Sequence, residues 1–215
     1  MDIHDFFDFD SKYSSTTVRA HPVGLDVTTQ ASELFDHHRL ILGNDKWIHF
    51  PIIFEQDHGT KLHDILNTGY VSLFLISEKM RDILEENNLT GWKTFPITLL
   101  DKQKKEILGY YGFSITGRCG PIDYSKSQIM QKRFIENGPL WNFYKGLHID
   151  LDKWDGCDFF LPEGNFGIKI TAKTADILKK NKISNVFLEN LVDVETDEST
   201  VKLEEKRKCF NQNTE

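Results

Sequence analysis

A thiol beside a guanidinium is the first arrangement in this sequence that could do chemistry. Cys119 lies between Arg118 and Gly120 in the stretch ITGRCGPIDYS, Ile115 to Ser125. A neighbouring cation lowers a thiol's pKa, and the resulting thiolate is the nucleophile of cysteine enzymes. Such an enzyme also needs a base within hydrogen-bond reach. The eight histidines, at positions 4, 21, 37, 38, 49, 58, 63 and 148, show no telling spacing. The plainer expectation is a strand end and turn, with Gly117 and Gly120 supplying backbone freedom and Cys119 as small filler.

Aspartates supply the second candidate. The stretch DLDKWDGCD, Asp150 to Asp158, holds four of them in nine residues. A calcium loop takes ligands at alternate positions and closes with a Glu at its twelfth. Asp150, Asp152 and Asp155 fall out of that register, and the twelfth position is Leu161. A structural corner is expected instead. Trp154 and Phe159-Phe160 would anchor it, Gly156 would allow an unusual backbone conformation, and Asp158 would accept backbone N–H bonds. Asp150, Asp152 and Asp155 would then offer outer negative charge to a partner.

Asp36 to His38, with His63, could in principle assemble a metal site, but adjacent histidines point to different sides of an element. The segment HDFFDFD, His4 to Asp10, has acidic ligands, yet its Phe residues read as a docking segment. The sequence contains no Gly-rich phosphate loop, no G-x-S-x-G elbow and no H-E-x-x-H pair. No catalytic residue, metal or cofactor is therefore expected.

The elements that would position these groups can be read from periodicity. VSLFLI is a buried strand, and Ser77 caps a helix with apolar Met80, Ile83 and Leu84. Asn87 and Asn88 suit its C-terminal cap. ASELFDHHRLIL, from Ala31, predicts a short helix. WIHFPIIF, from Trp47, predicts an edge strand, because its central proline cannot donate to a ladder. Ile129, Phe134 and Ile135 predict a helix over 125–138, stopped at Gly138-Pro139. Leu147, Ile149 and Leu151 alternate with polar residues, predicting a half-buried strand with Asp150 and Asp152 outward. The tail from Asp193 is polar and suggests at most a peripheral helix.

One pattern recurs. ISEKMRDILEENN, from Ile76, returns as ITAKTADILKKNK, from Ile170, 94 positions later without a gap. Matched Ile76/Ile170, Ile83/Ile177 and Leu84/Leu178 are core positions, and no reactive group accompanies them. The duplication is one of scaffold: a strand, a capped helix and another strand.

Composition bounds the function classes. A chain of 215 residues with 39% hydrophobic content and 16 Phe can build a proper core. Its net charge of −7, without a basic run, excludes nucleic acid as a partner class. The three cysteines are far apart and odd in number, which fits reduced thiols in the cytoplasm. The acidic start MDIHDFFDFD is no signal peptide, and no apolar stretch is long enough for a membrane.

Three segments also resemble a known family. They are LFLISEKMRDILEENNLTGWKTFPITLLD, GYYGFSITGRCGPIDYSKS and WDGCDFFLPEGNFGIKITAKTADILKKNKISNVFLENL. The first carries Ser-Glu-Lys before a Leu-rich helix, then Thr90-Gly91, Phe95 and Pro96. The second leads to Asp123 followed by Ser125 or Ser127. The third holds Trp154, Gly156, Asp158 and Phe160. These segments, over roughly residues 70–192, resemble the eleventh family of immunity proteins from bacterial polymorphic-toxin systems.

The resemblance implies binding and neutralisation of a cognate toxin, and it transfers no catalytic residue. An acidic chain suits a basic toxin, met by electrostatic steering. The expected fold is α+β: antiparallel-rich sheets, two related strand–helix–strand halves, and helices packed on their faces. Residues 1–70 would be integrated with the fold, 71–192 would form the family-like core, and 193–215 a polar tail. The chain is expected to be a monomer or weak homodimer. The alternatives are a small-ligand or carbohydrate-binding module, served by four Trp and exposed Asp, and a thiol enzyme using Cys119.

Overall fold

The two copies of the repeat form the same hydrogen-bonded motif in the computed structural model, which describes residues 2–23, 37–46, 48–133 and 135–211, the last six by backbone alone. Strand β5 (Phe74–Ser77) runs into α2 (Glu78–Glu86), and β14 (Ile168–Thr171) into α3 (Ala172–Lys180). Ser77 Oγ accepts the Met80 N–H at 3.2 Å, and Thr171 Oγ1 accepts the Thr174 N–H at 3.3 Å. At the other end, the amides of Asn87 and Asn181 donate to Ile83 O and Ile177 O at 2.8 and 2.9 Å. The next residues, Asn88 and Lys182, turn left-handed at φ 49° and 50°, so both helices stop in the same way.

Sheet order extends the equivalence. One sheet has eight strands, in the order β6 (Trp92–Phe95), β9 (Tyr110–Ile115), β5, β4 (Ile65–Asn67), β2 (Arg19–Pro22), β3 (Ile52–His58), β7 (Ile97–Leu100) and β8 (Glu106–Ile107). A second has five, ordered β15 (Val186–Asn190), β1 (Phe6–Ser11), β14, β13 (Phe159–Pro162) and β10 (Gly117–Cys119). The first five strands of the large sheet match the five of the second, one for one. Even the parallel pairings correspond, β2 with β4 and β10 with β13.

The place that β9 takes in one half is taken in the other by β1, the first strand of the chain. Phe74 lies opposite Phe113, and Ile168 opposite Phe9. Phe9 and Phe113 are therefore register equivalents, and their rings meet at 6.3 Å between the halves. The second half is completed from the N-terminus.

Carboxylates lock the halves together reciprocally. Asp64 and Asp158, again 94 apart, precede β4 and β13. Asp64 accepts from its own half's cap, Ser77 Oγ, at 2.8 Å. It also accepts from Ser184 N and Oγ of the other half, both at 2.7 Å. Asp158 accepts from Thr171 Oγ1 at 3.2 Å, and from Thr90 N and Oγ1 at 3.0 and 3.2 Å. Thr90 and Ser184 are themselves 94 apart. Lys79 and Lys173 flank the two carboxylates at 3.2 and 3.6 Å. Each aspartate thus ties one helix start to the turn after the other helix.

Two cores result. The larger lies between the two sheets and takes Met80, Ile83, Leu84, Ala175 and Leu178 from the helices, with Phe9, Phe74, Phe113 and Phe159 at its middle. The second lies on the far face of the five-stranded sheet, where Phe6 and Phe160 meet Ile122, Tyr124, Leu147 and Val201. Strand β1 serves both, since alternation sends Phe6 one way and Phe9 the other. The fold is α+β, mostly antiparallel, with helices packed on the sheets. Among the described residues, no helix is long and apolar enough to cross a membrane.

Several local expectations are corrected. The described residues of 125–138 form no α-helix: a 3-10 turn ends at Lys126, and Gln128–Arg133 is a strand, β11, paired antiparallel with β12 (Leu140–Lys145). Residues 147–151 form no strand beyond an Ile122–Ile149 bridge, and a 3-10 turn follows at Leu151–Lys153. Pro51 marks no edge, since β3 begins at Ile52 and lies between β2 and β7. Pro51 and Pro96 both sit one residue ahead of that parallel pair, where no ladder donor is lost. The helix expected from Ala31 shows only as α1 (His37–Ile41), and positions 31–36 lie outside the described residues. The tail supplies β16 (Glu195–Asp197), which pairs with β12, and α4 (Glu198–Asn211). Val201 and Glu204 of α4 are buried. Glu204 accepts from Tyr124 Oη and Asn165 Nδ2, each at 2.7 Å, so the polar tail helix packs against the second core.

Candidate functional site

Cys119 ends β10, and its surroundings oppose the chemistry that its neighbour suggested. The thiol is buried and donates weakly to Gly120 O at 3.3 Å. Burial pushes its pKa up to about 12, so the thiolate is not populated near neutrality. Arg118 does not offset this. Its guanidinium donates to the carbonyls of Ile115, Gly117 and Leu42 at 2.7, 2.7 and 2.8 Å. The cation is spent on fastening the β9–β10 corner to the loop after α1.

His37 and His38 are packed by aromatic rings. His38 stacks on Phe166 at 4.3 Å, and His37 meets Tyr70 at 4.8 Å. Among the described residues, no group of three His, Cys, Asp or Glu could hold a metal ion.

The aspartate corner is built from bonds within the chain. Asp155 accepts from Arg118 N at 2.7 Å and from Cys157 N at 3.0 Å, which pins the turn to β10. Asp150 caps the 3-10 turn through Asp152 N at 3.2 Å, and Asp152 is exposed. Gly156 has φ 81°, a conformation that side chains resist. Asp123 caps a neighbouring 3-10 turn, accepting from Ser125 N at 3.1 Å and Ser125 Oγ at 2.5 Å. Those bonds, with Lys126 beside them, hold its carboxyl below the usual range.

Trp154 lies edge-on to Phe6 at 5.3 Å and tilted on Phe160 at 5.7 Å, and donates to Cys157 O. It is only partly buried. Trp154→Ala is therefore expected to cost about 2 kcal/mol, below the 3–5 of a fully buried aromatic. Urea denaturation checks this, and a loss under about 0.5 kcal/mol would show that the corner does not depend on it.

A group of exposed apolar side chains lies elsewhere, on the β11–β12 hairpin. Its turn carries Asn137 at φ 62°, and Gly138 N donates to Ile135 O at 3.0 Å. Strand β16 covers β12 only from Phe143 to Lys145. The outer rungs, Gln131–Asn142, Lys132–Trp141 and Arg133–Leu140, therefore extend as two strands beyond the third.

A two-stranded ribbon is marginal alone, so its base matters. Tyr144 packs edge-on to Tyr124 at 5.7 Å, and Asn142 donates to Glu198 of α4 at 3.2 Å. On this arm Ile129, Ile135, Leu140 and Trp141 are 61%, 70%, 53% and 40% exposed. Alternation puts Ile129 and Leu140 on one face and Trp141 on the other, with Ile135 at the tip. Exposed apolar groups gathered on one projection mark an interaction surface. The helical reading of 125–138 hid this arm. Asn137-Gly138, a strong hairpin signal between strand-forming runs, could have revealed it.

No curated protein matches the chain significantly. The model of an immunity protein family, Imm11, matches residues 6–193. That match reaches well beyond the segments whose residues resemble the family, and it begins with β1, the strand that completes the second half. With that match spanning most of its length, the chain belongs to the Imm11 family of immunity proteins.

Proposed function

We propose that this chain is a non-enzymatic inhibitor that binds a cognate toxin domain in the bacterial cytoplasm and blocks it. The observation that carries the reading is an anchored arm with exposed Ile129, Ile135, Leu140 and Trp141 on a chain of an immunity family. Aromatic and aliphatic anchors of this kind dominate protein interfaces once a partner desolvates them. Asp150, Asp152 and Asp155 add negative charge at a second place. Hydrogen bonding inside the corner leaves that charge in position to steer a basic toxin, because steering acts at longer range than contact. The buried, protonated Cys119 speaks against a thiol enzyme.

The test is inhibition, with purified proteins, of a candidate toxin domain taken from the genes that neighbour this one. Inhibition should be stoichiometric, with a stable complex, and Cys119→Ser should inhibit as well as the parent chain. Substoichiometric inactivation that Cys119→Ser abolishes would replace binding with catalysis.

A further inference from the structure

Among the described residues, one buried side-chain polar atom has no hydrogen-bond partner: Oγ1 of Thr17. Thr17 is 5% exposed and stands in the wall of a cavity of about 340 Å³ between the β1–β2 loop and the segment after β4. A hydroxyl is rarely left orphaned in this way, because losing its water bonds costs stability. The backbone holds it there. Thr17 N donates to Ser14 O at 3.2 Å, and Val18 N to Lys61 O at 2.8 Å. Gly59 presses on the same loop so closely that a Cβ there would meet Thr17 O at 1.9 Å.

The rest of the wall indicates what could fill the bond. Asp10, Lys12, Ser15, Asn67 and Ser72 surround the cavity, with Phe74 as an apolar surface. Arg19 is already held by Asp57, donating from Nε to Oδ1 at 3.1 Å and from Nη2 to Oδ2 at 2.7 Å. Asp10 and Lys12 remain as opposite charges, so the cavity favours neither a phosphate nor an ammonium ion. The Asp10 carboxyl stands at the exposed rim, where its Oδ1 accepts from Ser11 N at 2.6 Å. Tyr13 presents a ring that is 94% exposed at the rim. A carboxylate satisfied by paired hydroxyls, a spare hydroxyl and a flat aromatic surface suit a saturated ring carrying several hydroxyls.

We infer that this cavity binds a neutral polyhydroxylated ring, the chemical class of a monosaccharide unit. Asp10 and Thr17 take its hydroxyls and Tyr13 covers its C–H face. The site stands apart from the arm and goes beyond toxin binding.

The experiment titrates the ¹⁵N-labelled full chain with methyl glucoside and N-acetylglucosamine, and with inorganic phosphate and methylammonium as charged probes. At least one sugar should give saturable shifts at amides of residues 14–19 and 67–72, and the charged probes none. Asp10→Asn and Thr17→Val should each weaken sugar binding by about threefold to tenfold, the loss of one hydrogen bond. Thr17→Val should not lower the melting temperature of the free chain, since the hydroxyl has no bond to lose. No saturable sugar binding, preferential binding of a charged probe, or a lower melting temperature in Thr17→Val would each overturn the inference. Toxin inhibition by the same variants is scored separately, so a failed sugar titration leaves the inhibitor reading standing.

Discussion

Asp64→Ala should destabilise the fold by about 3 kcal/mol or more, and Asp158→Ala by a similar amount. Asp64 is 9% exposed and accepts from Ser77 Oγ, Ser184 N and Ser184 Oγ, with Lys79 beside it. Truncation leaves a backbone N–H and two hydroxyls without their acceptor and removes the carboxylate behind a helix cap. It also unfastens one half from the other. Asp82→Ala, on the outer side of α2, is the control and should change stability by under about 0.5 kcal/mol. Double-mutant cycles sharpen the expectation: Asp64 should couple to Ser184, and Asp158 to Thr90, with weaker coupling for the crossed pairs. Independent losses in every cycle would remove the reciprocal clasp.

The same carboxylates give the acid limb of stability a definite shape. Burial works against ionisation of Asp64, but bonds from Ser184, Ser77 and Lys79 outweigh it and hold its pKa below the ordinary value. Such a group contributes stability above its unfolded pKa, near 3.9, and loses it as pH falls through the lower folded value. Asp10 and Glu189 act in the opposite sense. Burial first, then repulsion from Asp8, raises both. Their contribution is favourable below their unfolded pKa and fades as pH rises through the folded one. Stability should therefore change little on mild acidification and fall steeply below about pH 4. Asp64→Asn should flatten that fall.

What the sequence revealed of this fold follows from which forces act locally. The repeat was legible because the helix caps, the stripe of Met80, Ile83 and Leu84, and the Asn stops all lie within one short segment. The clasp was not, although Asp64, Thr90, Asp158 and Ser184 keep the same 94-residue spacing. Single residues outside the aligned helix carry no pattern until the turn of the other half is brought to them. The role of β1 was hidden for the same reason, since completing the second half from the N-terminus is a long-range pairing. The helix expected over 125–138 failed through competition. Ile129, Phe134 and Ile135 satisfy helical spacing, but Trp141, Phe143 and Tyr144 offer a strand that Gln128–Arg133 can pair with. Nothing in the polar tail from Asp193 singles out Glu204, although it is buried and bonded to Tyr124 and Asn165.

Removing the apolar groups of the arm should separate binding from folding. Ile135→Ala, Leu140→Ala and Trp141→Ala together should weaken toxin affinity at least about thirtyfold, the effect of losing one interface hot spot of roughly 2 kcal/mol. Their side chains are exposed in the free chain, so truncation opens no cavity. Stability should change by less than about 1 kcal/mol, and the base, where Tyr144 meets Tyr124 and Asn142 meets Glu198, stays intact. The loss should fall on the dissociation rate, because contact area acts after encounter. Asp152→Lys should do the reverse, slowing association at low salt while leaving dissociation unchanged. Surface plasmon resonance on both variants distinguishes the two surfaces in one experiment. If the triple variant dissociates as slowly as the parent chain, the arm is not where the toxin sits. If Asp152→Lys associates equally fast, the corner does not steer.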